Sequence, residues 1–237
     1  MIASDQRSRL KSQLQERGYA ALPASEIELA GPGRKSLQNL AASFSQLPQD
    51  GQMGDGGTYR FRRFSRFRFD STSGHLEALS DTSIYQSLED NPLNGGVRRT
   101  FEGLRPEIAH DPLLQAMVRF DFANLPAWPG LWVVGIHQVR IHAQGQSPGK
   151  PTPEGIHIDA ETFTVQHLIG RTNIEGGVFK AYNAKRQPVF EWLQTQPLDS
   201  MFFTGTTLHS ATDIHCASPD RPGYRDIFLI DFDPLLA

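Results

Sequence analysis

Residues 131–143 read LWVVGIHQVRIHA and residues 224–232 read YRDIFLIDF. Both runs are rich in β-branched and aromatic residues, and both follow turn formers, Pro129-Gly130 and Pro222-Gly223. That combination favours extended strands over helices. Between them lie HIDAETFTVQHLI (157–169), GVFKAYN (177–183), VFEWL (189–193) and DSMFFTG (199–205), separated by Gly, Pro and Asn. Six short strand-like segments within about a hundred residues point to a jelly-roll, the double-stranded β-helix of cupin-like barrels.

Upstream of Pro129 the pattern is helical around one unusual strand. Ser4 to Arg17 carries Leu10 and Leu14 on one helical face and meets Gly18, a helix stop. Leu37, Leu40, Phe44 and Leu47 recur at helical spacing before Pro48. Asp111-Pro112 has the form of a helix start, a capping carboxylate followed by proline at the first helical position. The exception is TYRFRRFSRFRF (58–69), where aromatic and basic residues interleave after a Gly-rich loop. The expected class is therefore α+β. One domain spans 1–237, with a mainly helical part, 1–128, packed on a jelly-roll core, 129–237.

Bulk properties narrow the function classes. A chain of 237 residues can bury roughly 70–75% of its unfolded surface in one core. A net charge of −3 argues against bulk affinity for nucleic acid or anionic membrane. Interleaved Arg and Phe can bind single strands by stacking, yet only one such stretch exists, in an acidic chain. It reads instead as a strand over the barrel mouth, where Arg60 or Arg62 meets an anionic substrate. No apolar run approaches the roughly 18 residues of a membrane span, and the polar N-terminus lacks a signal-peptide core. The single cysteine, Cys216, allows no internal disulfide, which fits a reducing cytoplasm.

The chemistry centres on EGIHIDA (154–160). On a strand, residues two apart share a face, so His157 and Asp159 offer an imidazole and a carboxylate together. A third ligand from another strand completes a metal site. His209 in TGTTLHSAT, about fifty residues on, is well placed at the edge of a strand after a small-residue turn, with His215 as its rival. Two histidines and one carboxylate leave the remaining metal positions to exogenous ligands, the arrangement of non-haem Fe(II) oxygenases. Sixteen residues after His209 comes Arg225, alternating with Ile227 and Leu229, so its guanidinium enters the barrel. A buried Arg requires an anionic partner, and a ligand carboxylate accepts its fork bidentately. Arg225 is preferred to Arg221, which precedes Pro222 in a loop. Gln138 and Arg140 share a strand face, and His167 shares one with His157 if that strand is unbroken; these are candidate substrate contacts.

The stretch HIDAETFTVQHLIGRTNIEGGVFKAYN, continued by TLHSAT and RDIFLIDF, resembles the bacterial 2-oxoglutarate/Fe(II) dioxygenases that include L-isoleucine hydroxylase. The likeness extends over roughly residues 131–233. It implies that His157, Asp159 and His209 hold Fe(II) and that Arg225 clamps 2-oxoglutarate. It also implies that O₂ is the co-oxidant and that the C–H bond of a small molecule becomes C–OH. Ala160 stands where the family has Gly, and Asn183 where Asp is common. Both are expected near the pocket, where they would alter substrate choice. The expected partner is a small-molecule substrate, with no nucleic acid and no membrane, and a homodimer is an allowed assembly. The competing readings are a dioxygenase acting on a peptide or protein side chain, and a non-catalytic cupin-like metal-binding module. A narrow lid over the pocket argues against the first, and a buried Arg225 against the second.

Overall fold

The computed structural model describes residues 4–27, 34–89 and 91–235. Helix α1 (Ser4–Arg17) stops at Gly18, whose φ of +82° suits a residue without a Cβ. Helix α2 (Arg34–Ser43) tightens into a 3₁₀ turn, Phe44–Gln46, ahead of Pro48. Helix α3 (Pro106–Ala109) precedes α4 (Pro112–Asn124), whose Asp111 cap accepts a 2.8 Å hydrogen bond from the Leu113 backbone N–H.

The strands of the first half are β1 (Tyr19–Leu22), β2 (Arg60–Asp70), β3 (His75–Leu79), β4 (Ser83–Tyr85) and β5 (Arg98–Thr100). Next come β6 (Leu131–Ala143), β7 (Phe163–Thr172), β8 (Ile174–Gly176), β9 (Phe179–Tyr182) and β10 (Pro188–Trp192). The last are β11 (Ser200–Thr204), β12 (His209–Ala211), β13 (Ile214–Cys216) and β14 (Gly223–Pro234). A seven-stranded sheet has the order β1-β11-β7-β14-β6-β2-β3. A smaller sheet, β10-β9-β12, and the pairs β13-β8 and β4-β5 accompany it. The architecture is α+β with a jelly-roll core, although the described strands form separate sheets rather than one closed ladder.

The expectation of one strand within residues 1–128 needs correction. Among the described residues that part supplies five strands, three of them in the main sheet. TYRFRRFSRFRF is not a cover over the mouth. As β2 it pairs with β6 from Arg60↔Ile141 to Asp70↔Leu131. Its alternation is the reason. Phe67 and Phe69 reach the helix-side core, while Arg60, Arg62 and Phe64 point to the other side.

Both faces of the main sheet are covered. One face carries Trp132, Val134, Ile136, Val165, Phe202, Phe228, Ile230 and Phe232, packed against Leu10, Leu14, Leu40, Phe44 and the α4 residues Leu114, Met117 and Val118. The other face lines a cavity. Burial on both sides explains why β6 and β14 hold apolar residues at consecutive positions, as in Trp132-Val133-Val134 and Ile227-Phe228-Leu229-Ile230, rather than strictly alternating.

Candidate active site

The cavity lies on the face of the main sheet away from the helices, and its walls hold His157, Asp159 and His209. His209 opens β12, and its backbone exchanges two hydrogen bonds with His157, at 2.9 and 3.1 Å. That bridge brings the imidazole rings to a centroid separation of 4.3 Å. Asp159 follows in the loop before β7, its carboxylate 3.5 Å from His157 Nε2 and 3.8 Å from His209 Nε2. The three candidate ligand atoms lie within 4.8 Å of one another. Gly205 permits this approach: a Cβ there would sit 2.2 Å from the Glu161 carbonyl.

Both histidines are oriented for ligation. His157 Nδ1 donates to the Gly155 carbonyl and His209 Nδ1 to the Thr207 carbonyl, each at 3.0 Å. Each ring therefore turns its Nε2 toward the centre, the second-sphere arrangement usual for metal-bound histidine. Phe179 and Phe203 pack on the His209 ring, 5.7 and 4.6 Å between centroids. Burial pulls the His157 pKa down, but the Asp159 hydrogen bond and the charges of Asp159 and Glu154 outweigh it and take it up to about 9. Burial raises Asp159, yet the two imidazoles hold it at about 2. A cation is thus favoured between these groups, and two imidazoles with one carboxylate suit a divalent transition metal.

Arg225 projects from β14 into the same cavity and is 1% exposed. One Nη donates to Gln194 Oε1 at 2.9 Å, while Nε and the other Nη have no partner among the described residues. Gln194 is itself fixed by donating to the Asp199 carbonyl at 2.6 Å. Burial, and then the neighbouring Arg171, lower the Arg225 pKa to about 9. Unpartnered N–H groups on a buried guanidinium can receive a carboxylate.

A second cationic group borders the cavity. Arg62 contacts His137 Nδ1, and His137 Nε2 lies 2.6 Å from Asp231. Burial first, then Arg60, lower the Arg62 pKa to about 9. Arg60 is paired with Asp50 at 2.8 Å. Arg99, from β5, donates to Gln86 and joins Arg62 around the Phe101 ring. Each of the three arginines keeps one buried nitrogen without a partner.

Several expected contacts lie elsewhere. His167 is on the helix face, between Asp121 of α4 at 2.8 Å and Ser200 at 2.7 Å. The strand begins only at Phe163, so the loop after His157 breaks the parity on which that expectation stood. Gln138 and Arg140 do share a face, but it is not the cavity face. Gln138 donates to Ser43, and Arg140 forms a two-pronged pair with Asp226 at 2.7 Å while stacking on Tyr224. Their neighbours His137, Val139 and Ile141 line the cavity instead. His215 is exposed and cross-strand from Glu175, and Arg221 is exposed. Asn183 does not shape the pocket: its side chain accepts from the Lys185 and Gln187 backbones in the β9–β10 turn. Ala160 is exposed. Glu154, Arg99, His137 and Asp231 were not assigned roles from the sequence, although Glu154 stands three residues before His157.

A family model described as 2OG-Fe dioxygenase matches residues 41–231. This chain belongs to the 2OG-Fe dioxygenase family. It is 30% identical over 187 residues to L-isoleucine-4-hydroxylase of Bacillus thuringiensis, covering 74% of this chain and 75% of that one. The crystal structure of a BsmA homologue from Methylobium petroleophilum PM1 superposes with a TM-score of 0.85 at 29% identity, covering 97% and 93% of the two chains. That of IDO from Bacillus thuringiensis gives 0.81 at 20% identity, covering 97% and 96%, and supports the fold. As a 2OG-Fe dioxygenase the protein is a non-haem iron oxidoreductase that uses Fe(II), 2-oxoglutarate and O₂. Among the described residues no helix is long and apolar enough to cross a membrane.

Proposed function

We propose that this dioxygenase hydroxylates an unactivated C–H bond of a small free amino acid, an aliphatic one. In this reading His157, Asp159 and His209 hold the iron and Arg225 takes the distal carboxylate of 2-oxoglutarate. The iron, with 2-oxoglutarate and O₂, supplies the oxidation of C–H to C–OH, yielding succinate and CO₂. The chain's own residues position the reactants and exclude water. Gln194 keeps Arg225 aimed, and the two backbone carbonyls keep the imidazoles aimed.

The observation that carries the substrate class is the second cationic wall. Arg62 and Arg99 have unpartnered buried N–H groups that Arg225 and its keto acid do not use. They suit a second carboxylate, with Arg60 behind them. Ile84, Val139 and Ile227 add an apolar surface for an aliphatic side chain. The cavity measures about 120 Å³. One water takes roughly 10–15 Å³ of such space, so it holds small molecules rather than a polypeptide. The segment bearing Ile84, Gln86, Asn91 and Arg99 also walls it, which disfavours a protein side chain as substrate. The relative named for L-isoleucine hydroxylation supports the same class. The test is incubation of the twenty standard amino acids with enzyme, Fe(II), 2-oxoglutarate and ascorbate. At least one aliphatic member should gain one oxygen atom, with matching succinate. Consumption of 2-oxoglutarate with no amino acid oxidised would defeat the reading.

A further inference from the structure

We propose that Glu154 is the ammonium acceptor for the substrate and so makes the α-amino group a requirement of binding. The inference rests on the free-amino-acid reading above. Glu154 lies in the loop Pro153-Glu154-Gly155 ahead of the first histidine of the triad and lines the cavity. Its side chain is only 8% exposed, and Oε2 has no hydrogen-bond partner. Oε1 is 3.4 Å from His157 Nε2. His157 Nδ1 is engaged with the Gly155 carbonyl, and Oε2 of Glu154 faces the cavity with no donor among the described residues.

A buried carboxylate without donors carries a desolvation penalty that a bound cation relieves. Glu154 stands outside the group of three whose ligand atoms are mutually close, so it borders the metal site without completing it. The nearest cationic wall does not neutralise it. Among the described residues no ion pair joins Glu154 to Arg60, Arg62 or Arg99, although Arg99 feels its charge. A buried carboxylate with one unpartnered oxygen beside unpartnered buried guanidinium nitrogens matches a zwitterion. An α-amino acid brings three N–H donors on one end and a carboxylate on the other.

The experiment is calorimetric binding to protein loaded with Mn(II) and 2-oxoglutarate, using the tightest-binding standard L-amino acid and its des-amino acid. For L-isoleucine the pair is completed by 3-methylpentanoic acid. Wild type should prefer the amino acid, and Glu154→Gln should weaken that ligand roughly tenfold to a hundredfold, the worth of one charged hydrogen bond. The des-amino acid should bind the variant no worse, so the preference collapses. Glu161→Gln, the other glutamate lining the cavity, should keep the wild-type ratio. If Glu154→Gln does not fold, Glu154→Asp keeps the charge at shorter reach and should give an intermediate ratio. A wild-type ratio in the Glu154 variant, or equal weakening of both ligands, overturns the assignment. If wild type binds none of the amino acids, the free-amino-acid reading falls first and takes this inference with it.

Discussion

The two faces of the seven-stranded sheet treat buried polar groups in opposite ways. On the helix face, His167 uses both ring nitrogens, one on Asp121 and one on Ser200, and Arg140 meets Asp226 with both prongs. On the cavity face, Arg225, Arg62, Arg99 and Glu154 each retain a buried atom with no partner. Arg225 and Asp226 are neighbours on β14 that face opposite ways, while Arg99 reaches the cavity from β5 and Glu154 from the loop before His157. The helix side also keeps unpartnered acceptors, Asp121 Oδ1 and Asn124 Oδ1, so what distinguishes the cavity is that its unpartnered groups line a space a ligand can enter.

The comparison can be broken most sharply at the metal site. His209→Ala removes a proposed ligand and should lower turnover by more than the roughly 100-fold that loss of a ligand's supporting partner typically costs. His215→Ala, on the exposed face of β13, should leave turnover near wild type. Comparable losses in both variants would undo the ligand assignment. On the helix face the expected signature is reversed. His167→Ala strands Asp121, which burial already pushes above the usual carboxylate range despite His167 opposing it. The cost should be about 3 kcal/mol of stability, read as a lower denaturation midpoint, with the Michaelis constants of the folded enzyme unchanged. A large rise in a Michaelis constant without destabilisation would place His167 in the site after all.

Much of this was legible in the sequence, and the gaps have physical causes. His157, Asp159 and Arg225 could be read because the chemistry lies in short local patterns. His209 is distinguished from its rival His215 by the resemblance of TLHSAT to the family, since position alone leaves both open. Gln138, Arg140 and His167 were placed on the wrong face because strands buried on both sides lose the alternation that reports facing. In β6 His137, Gln138 and Arg140 lie within four residues, and only the register with β14 shows that Arg140 opposes Asp226. Arg99 could not be found locally, since its three-residue strand carries no pattern and reaches the cavity only through tertiary packing. Glu154 was visible beside the metal motif, but its lack of partners is a property of the folded state alone.

The central claim is that the unpartnered nitrogens of the cavity face are ligand receptors, and Arg225 states it most simply. Calorimetry of 2-oxoglutarate binding to Mn(II)-loaded wild type and Arg225→Lys tests it directly. Lysine keeps the charge but loses the planar fork. A roughly tenfold to hundredfold loss of 2-oxoglutarate affinity is expected, about 1.5–3 kcal/mol, with Mn(II) affinity unchanged. Equal 2-oxoglutarate affinity in the two proteins would contradict it.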